Sequence, residues 1–321
     1  MMIALLEFGL RVTGIEKGRV IPPPIFQKSP VPDISYALKP NITEPAFRST
    51  VRTNSLGFRS AEPNGKPVLA VLGDSITFGY GVENNETLPA QLQPLLPEWD
   101  VQNSGVPGYN MRQEAATYAN TFAPLNPKAV IVMFYWNDLE DQRPAVLHAN
   151  GNLYPPGYEP PASGCNPVME GLLAWIPGKC WLDTHSAIYR VLKKIAIARI
   201  GQRNLKLSRA ILASDFGSEK FTPTQVQDYI REFNAFADSL PPELPKLFVI
   251  WPEGGLHFAL RPQLKQVVQA KGFKVLDLYE IFGNNPQTLS WDTVHPSAAT
   301  LKRAAEVVKG ALEYYQIVPK T

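Results

Sequence analysis

Five short runs, rich in apolar and β-branched positions, punctuate the chain: PVLAVLG (67–73), WDVQNSG (99–105), KAVIVMFYW (128–136), KLFVIWP (246–252) and FKVLDL (273–278). Continuous apolar character, rather than strict alternation, marks strands buried on both faces. Between them, apolar residues recur every three or four positions over 86–96, 110–122, 186–200, 223–239, 258–271 and 297–315, which predicts helices. Strands alternating with helices imply a parallel sheet covered on both sides. The expected fold is an α/β three-layer α/β/α sandwich around a central parallel sheet of about five strands, flavodoxin-like in its winding, and one domain over 66–321 accounts for it.

Three segments fall outside this rhythm. Residues 1–19 open on the apolar MMIALLEFGLRVTG, interrupted by Glu7 and Arg11. That run is too short to span a bilayer and has no cationic start or cleavage site. Two readings stand: the remnant of a membrane anchor, which is favoured, or an amphipathic helix packed on the domain. Residues 20–65 are proline-rich and predicted to wrap the domain in extended form. Residues 139–222 form a long insertion after the third strand. Loops at that end of an open α/β sheet surround the ligand crevice, so the insertion reads as a lid or substrate wall.

Composition narrows the function. The chain has 321 residues, 45% hydrophobic and 19% charged, with a formal net charge of +2. Near-neutrality without a basic face argues against nucleic acid as a partner. Proline, at 31 residues, is about twice its usual share, concentrated at 22–32 and 154–161. Cys165 and Cys180 are the two cysteines; a pair of buried thiols and a disulfide closing a short loop both remain open. Without a second cysteine pair or a nearby histidine cluster, they do not make a zinc site.

The candidate chemistry starts in VLAVLGDSITFGYG (68–81). A buried strand that stops at a tight turn before a helix projects Ser75 into the crevice, where turn amides can stabilise negative charge. An N-cap serine is the plain alternative; a phosphate loop is not, because the lysine and spacing are missing. A nucleophilic serine needs a base, and the chain offers His148, His185, His257 and His295. His148 and His185 lie in the insertion. His257 follows the fourth strand and is the rival. His295 follows the fifth strand in LSWDTVHPSAAT, with Asp292 three residues earlier. On a tight turn that spacing brings a carboxylate to imidazole Nδ1 and leaves Nε2 to take the serine proton. Oxyanion donors are expected on the loops after strands two and three. There Gly108, in NSGVPGYN, lets an amide approach a substrate, and Asn137, in WNDLED, offers a side-chain NH₂. The acidic group Asp138, Glu140 and Asp141 is read as solvated rather than metal-binding.

Taken together these stretches resemble the four blocks of the SGNH (GDSL-type) hydrolases. GDSITFG resembles the first block, NSGVPG the second, YWND the third and DTVH the last, in order and each after a strand. The resemblance spans roughly 68–310. It implies Ser75 as nucleophile and oxyanion amide, Gly108 and Asn137 as the other oxyanion donors, and Asp292 and His295 as the rest of the triad. One departure stands out: Tyr135 occupies the position where the third block usually has glycine, which bears on the shape of the acyl pocket. VRTNSLGFRS (51–60) is similar to a bacterial subgroup often carried on an N-terminal membrane anchor, which implies a periplasmic or cell-envelope location. The activity implied is serine-esterase hydrolysis of an O-acyl ester, short-chain such as acetyl, on a small molecule or saccharide, with no cofactor and no metal. The same residues would serve an O-acyltransferase, and a non-catalytic binding protein on this fold is the rival from another class. Acyl length, the alcohol and oligomeric state are not legible in the sequence.

Overall fold

The computed structural model describes residues 2–13, 23–140, 142–149, 151–158, 176–193, 195–196, 199, 220–292 and 294–320. In chain order its helices are α1 (Met2–Thr13), α2 (Ser75–Phe78), α3 (Leu88–Leu92), α4 (Met111–Thr117), α5 (Lys179–His185), α6 (Pro223–Ser239), α7 (Leu260–Ala270), α8 (Tyr279–Phe282) and α9 (Ala298–Tyr314). The strands are β1 (Phe26–Lys28), β2 (Tyr36–Leu38), β3 (Thr43–Ala46), β4 (Ser49–Arg52), β5 (Val68–Gly73), β6 (Asp100–Asn103), β7 (Ala129–Phe134), β8 (Val146–Leu147), β9 (Leu153–Tyr154), β10 (Lys246–Ile250) and β11 (Lys274–Asp277).

The five predicted runs form one parallel sheet in the order β11-β10-β7-β5-β6. Numbered by their order within the sheet, they run 5-4-3-1-2, the flavodoxin-like winding, whose direction reverses between the first and third strands. Every residue of β5, β7 and β10 is buried, as continuous apolar runs under two helical layers require. Residues 223–239 are helical as predicted, with Thr222 as N-cap, Gln225 closing a capping box and Pro223 at the first turn. The helix expected over 86–96 is broken into 3₁₀ and α turns around Pro89 and Pro94, and that over 110–122 ends in a π turn.

The described part of the proline-rich segment carries extended strands joined by turns. It folds into two antiparallel hairpins, β1–β2 and β3–β4. The stretch that follows covers the sheet edge, where β6 is buried although its sequence is polar. Asn103 N–H donates to Ser60 Oγ at 2.6 Å, Asn64 N–H to Asp100 Oδ2 at 3.1 Å, and Gln102 Nε2 to Ala61 O at 3.3 Å. An edge strand left with open donors and acceptors would pair with other chains; here the backbone of Ala61 and Asn64 and the Ser60 hydroxyl close it.

At the N-terminus, α1 leaves Met2, Ile3, Leu5, Leu6, Phe8 and Val12 exposed, so it does not pack its apolar side on the domain. Its Glu7 carboxylate instead accepts from the Ala187 and Ile188 amides at 2.6 and 3.0 Å, at the start of the helical residues 187–193. No described helix is long and apolar enough to cross a membrane. Cys165 and the side chain of Cys180 lie outside the described residues.

Candidate active site

The turn from β5 into α2 builds the centre of the site. Gly73 has φ +154°, and a Cβ there would sit 2.1 Å from Thr77 Oγ1, so only glycine lets the strand end this tightly. Asp74 caps the helix, its Oδ1 accepting from Ile76 N–H at 2.8 Å. A four-residue helix has no stability of its own, and its far end is held by a residue from the N-terminal segment. The buried Arg59 guanidinium donates to the carbonyls of Phe78 (3.1 Å), Gly79 (2.7 Å) and Val82 (2.8 Å) and to Asn84 Oδ1 (2.9 Å). Burial pulls Arg59 down to about 10, against the upward pull of Glu83 and Glu86.

Ser75, the first residue of α2, faces His295 across the crevice, with Oγ 2.9 Å from Nε2. His295 Nδ1 lies 2.9 Å from Asp292 Oδ2. The other oxygen, Asp292 Oδ1, accepts from the backbone N–H groups of Val294 (2.8 Å) and His295 (2.9 Å). Burial alone would raise the Asp292 carboxyl, but the hydrogen bonds and charge of His295 and these amides hold it at about 2. An ionised carboxylate facing Nδ1 favours the tautomer protonated there, an arrangement in which Nε2 can accept a proton from Ser75.

His257 does not compete. Its Nε2 is 2.7 Å from Glu253 Oε1 and its ring stacks on Trp136 with centroids 3.6 Å apart. The pair braces the loop after β7 from behind. His148 and His185 contact aromatic rings within the insertion.

Asn137, in the 3₁₀ turn Trp136–Leu139, donates through Nδ2 to Asp74 Oδ2 at 3.0 Å. Ser75 Oγ lies 3.3 Å from the same oxygen, which brings the amide group beside the serine. An amide carries two N–H bonds, so one remains for a substrate oxygen. Gly108 is the exposed residue of an otherwise buried turn after β6, at φ +80°, and a Cβ there would come 3.0 Å from Tyr36 Oη. That turn is clamped by two tyrosines: Tyr36 Oη donates to Pro107 O at 2.8 Å, and Tyr109 Oη donates to Tyr36 O at 2.7 Å.

The acidic group after β7 needs a correction. Glu140 is exposed, and Asp141 lies outside the described residues. Asp138 is not solvated: it is buried, and its Oδ2 accepts from Tyr135 N–H at 3.0 Å. It serves the turn's backbone, which a reading of clustered carboxylates as surface charge misses. Its carboxyl is pushed well up, first by burial and then by Glu114 and Asp74; Glu114 in α4 is pushed up by burial and then by Asp74.

Several side chains around the centre went unassigned in the sequence: Asp74 and Arg59, Tyr36, and Tyr80, whose ring stacks on His295 at 4.0 Å and 20°. Asp74 and Tyr80 stood inside the GDSITFGYG stretch; Tyr36 carries no local signal at all. Tyr135 is buried, its hydroxyl raised first by burial and then by the charges of Glu253 and Asp74.

A parallel sheet of this winding, with a hydroxyl, an imidazole and a carboxylate in series at its C-terminal edge, is an arrangement shared by serine hydrolases, and the family match narrows the class to hydrolases acting on ester bonds. The chain belongs to the GDSL-like lipase/acylhydrolase family, which matches residues 71–303. No curated protein matches it by sequence. Among solved structures it is similar to a carbohydrate esterase family 2 enzyme with a carbohydrate binding domain from Corynascus thermopiles (Myceliophthora fergusii), at 13% identity and TM-score 0.45, over 80% of this chain and 68% of that one. It is also similar to the lipase/acylhydrolase from Enterococcus faecalis, at 12% identity and TM-score 0.43, over 79% of this chain and 99% of that one. A third is a member of the lipolytic protein G-D-S-L family from Veillonella parvula DSM 2008, at 13% identity and TM-score 0.42, over 78% and 99%.

Proposed function

We propose that the protein hydrolyses an O-acyl ester through an acyl-serine intermediate, and the observation that carries this is the unbroken chain Asp292–His295–Ser75, with both links at 2.9 Å. His295 Nε2 takes the Ser75 proton as Oγ attacks the ester carbonyl. The negative charge that forms on the carbonyl oxygen is met by the second N–H of Asn137 and the backbone amides of Ser75 and Gly108. His295 then hands its proton to the departing alcohol. Water repeats the sequence, its proton passing to His295 and its oxygen to the acyl carbon, which frees the acid and restores the serine. No step calls on a metal or cofactor.

The acyl group is short, such as acetyl, and the alcohol is a small molecule or saccharide. Tyr135 supports the size limit: a buried phenol in the field of Asp74 and Asp292 fills space that glycine would leave open. The exposed apolar side of α1 supports attachment at a cell-envelope membrane.

The experiment is a panel of acetyl to long-chain esters, acetylated sugars among them, assayed with wild type and Ser75→Ala. Fast turnover of short esters by wild type alone is the expected result. Undiminished turnover by the serine variant ends the proposal, and acyl transfer to an added sugar would redirect it to transferase chemistry.

A further inference from the structure

Residues 47 and 48 form the two-residue tip of the β3–β4 hairpin, and both sit in the left-handed region, Phe47 at φ +54° and Arg48 at φ +65°. Such tips favour Asn-Gly or Gly-Gly, because in this backbone a Cβ crowds the following carbonyl oxygen, which glycine avoids and asparagine offsets by local hydrogen bonding. Here a phenylalanine and an arginine occupy both positions, and each packs on an aromatic ring beside the triad, Phe47 on Tyr80 and Arg48 on Trp291. The Phe47 ring stacks on Tyr80 at 4.2 Å and 29°, and Tyr80 stacks on His295 at 4.0 Å. Two rings that close cannot share one face of Tyr80, so the three form a sandwich ending on the catalytic imidazole. The Arg48 guanidinium lies 4.5 Å over the ring of Trp291, the residue before Asp292.

The hairpin is fixed in place. Asn84 pairs with the β4 backbone as a strand would, accepting from Arg52 N–H at 3.0 Å and donating to Arg52 O at 2.7 Å. The hairpin lies before the family match at 71–303.

Arg48 is exposed, and among the described residues no carboxylate forms an ion pair with it. The acids of neighbouring elements are engaged: Glu83 accepts from Thr50 N–H, Glu86 from Glu83 N–H, and Asp292 holds His295. A guanidinium lying on an aromatic ring keeps its N–H fork free at the edges, the geometry that grips a carboxylate or phosphate with two hydrogen bonds.

We infer that Arg48 is a specificity residue of the ester site, selecting substrates that carry an anionic group, a carboxylate or phosphate, beside the ester. This rests on the esterase reading above. Strained backbone kept at a functional edge is consistent with it.

The test compares kcat/KM for 4-acetoxybenzoate with that for 4-acetoxybenzamide, two acetyl esters that differ in one negative charge, in wild type, Arg48→Lys and Arg48→Gly. The ratio falls tenfold or more in Arg48→Gly, with Arg48→Lys between. The unfolding midpoint does not drop, because glycine takes φ +65° freely. A ratio unchanged within twofold overturns the inference, whatever happens to the two rates. If wild type cleaves neither ester, the esterase reading fails by itself, and the anion site is read by calorimetry of 4-acetoxybenzoate on the Ser75→Ala protein. Tenfold weaker binding on adding Arg48→Gly upholds it, and equal affinity overturns it.

Discussion

The side-chain amide of Asn137 donates to the Asp74 carboxylate at 3.0 Å, joining the loop after β7 to the turn after β5 beside the hydroxyl of Ser75. One acidic side chain thereby caps the helix that carries the serine and aims the amide proposed to meet the oxyanion. Removing that amide should cost catalysis more than binding. Asn137→Ala is expected to lower kcat by roughly 10²–10³-fold with little change in KM, the scale of a single lost oxyanion donor, read by steady-state kinetics on a short acetyl ester.

Asp292 couples activity to acid stability. Its carboxyl is held at about 2 against an ordinary 3.8. A depressed carboxyl adds stability that is complete above the unfolded value and fades as pH falls from about 4 to about 2. Urea unfolding of wild type and Asp292→Asn should therefore differ at pH 5–7 and converge toward pH 2. The same variant should lose up to about 10⁴-fold in kcat, because Nδ1 no longer has a charged acceptor to hold its tautomer.

Arg59 is expected to matter for folding more than any surface charge. Arg59→Ala leaves the carbonyls of Phe78 and Val82 without their donor, and Gly79 O with only the 3.4 Å bond from Val82 N–H. Each stranded buried group costs about 1–3 kcal/mol, so a loss of at least ~2 kcal/mol is expected. Thermal unfolding measures it, and a midpoint within a degree of wild type would contradict this account of the α2 terminus.

Glu114 and Asp138 work in the opposite sense to Asp292. Both carboxyls are raised, Glu114 by burial and then Asp74, Asp138 by burial and then Glu114. Acids with raised values give stability that is present below their unfolded values and lost as pH rises through the folded ones. Glu114→Gln cannot ionise, so its midpoint should exceed that of wild type increasingly above neutral pH. A gain of a few degrees corresponds to about 1 kcal/mol, read from melting curves at pH 6 to 10.

Much of this was open to inspection in the chain itself. Unbroken apolar runs at 67–73, 128–136 and 246–252 could only be strands buried on both faces, and their alternation with helical periods dictated a parallel sheet. Ser75, Asp292 and His295 could be singled out as candidates because each is placed by a local rule: a glycine turn after a strand, a carboxylate three residues before an imidazole. Contacts between distant segments left no such trace. His295 comes within 2.9 Å of Ser75 across 220 positions only because parallel strands all end at one edge. Which histidine meets Ser75 depends on packing: His295 does, while His257 stacks on Trp136 and pairs with Glu253. Asp138 looked like surface charge until the turn folded over it. The proline-rich segment concealed the most, because Tyr36, Arg59 and the Phe47–Arg48 tip act through partners that local periodicity does not encode.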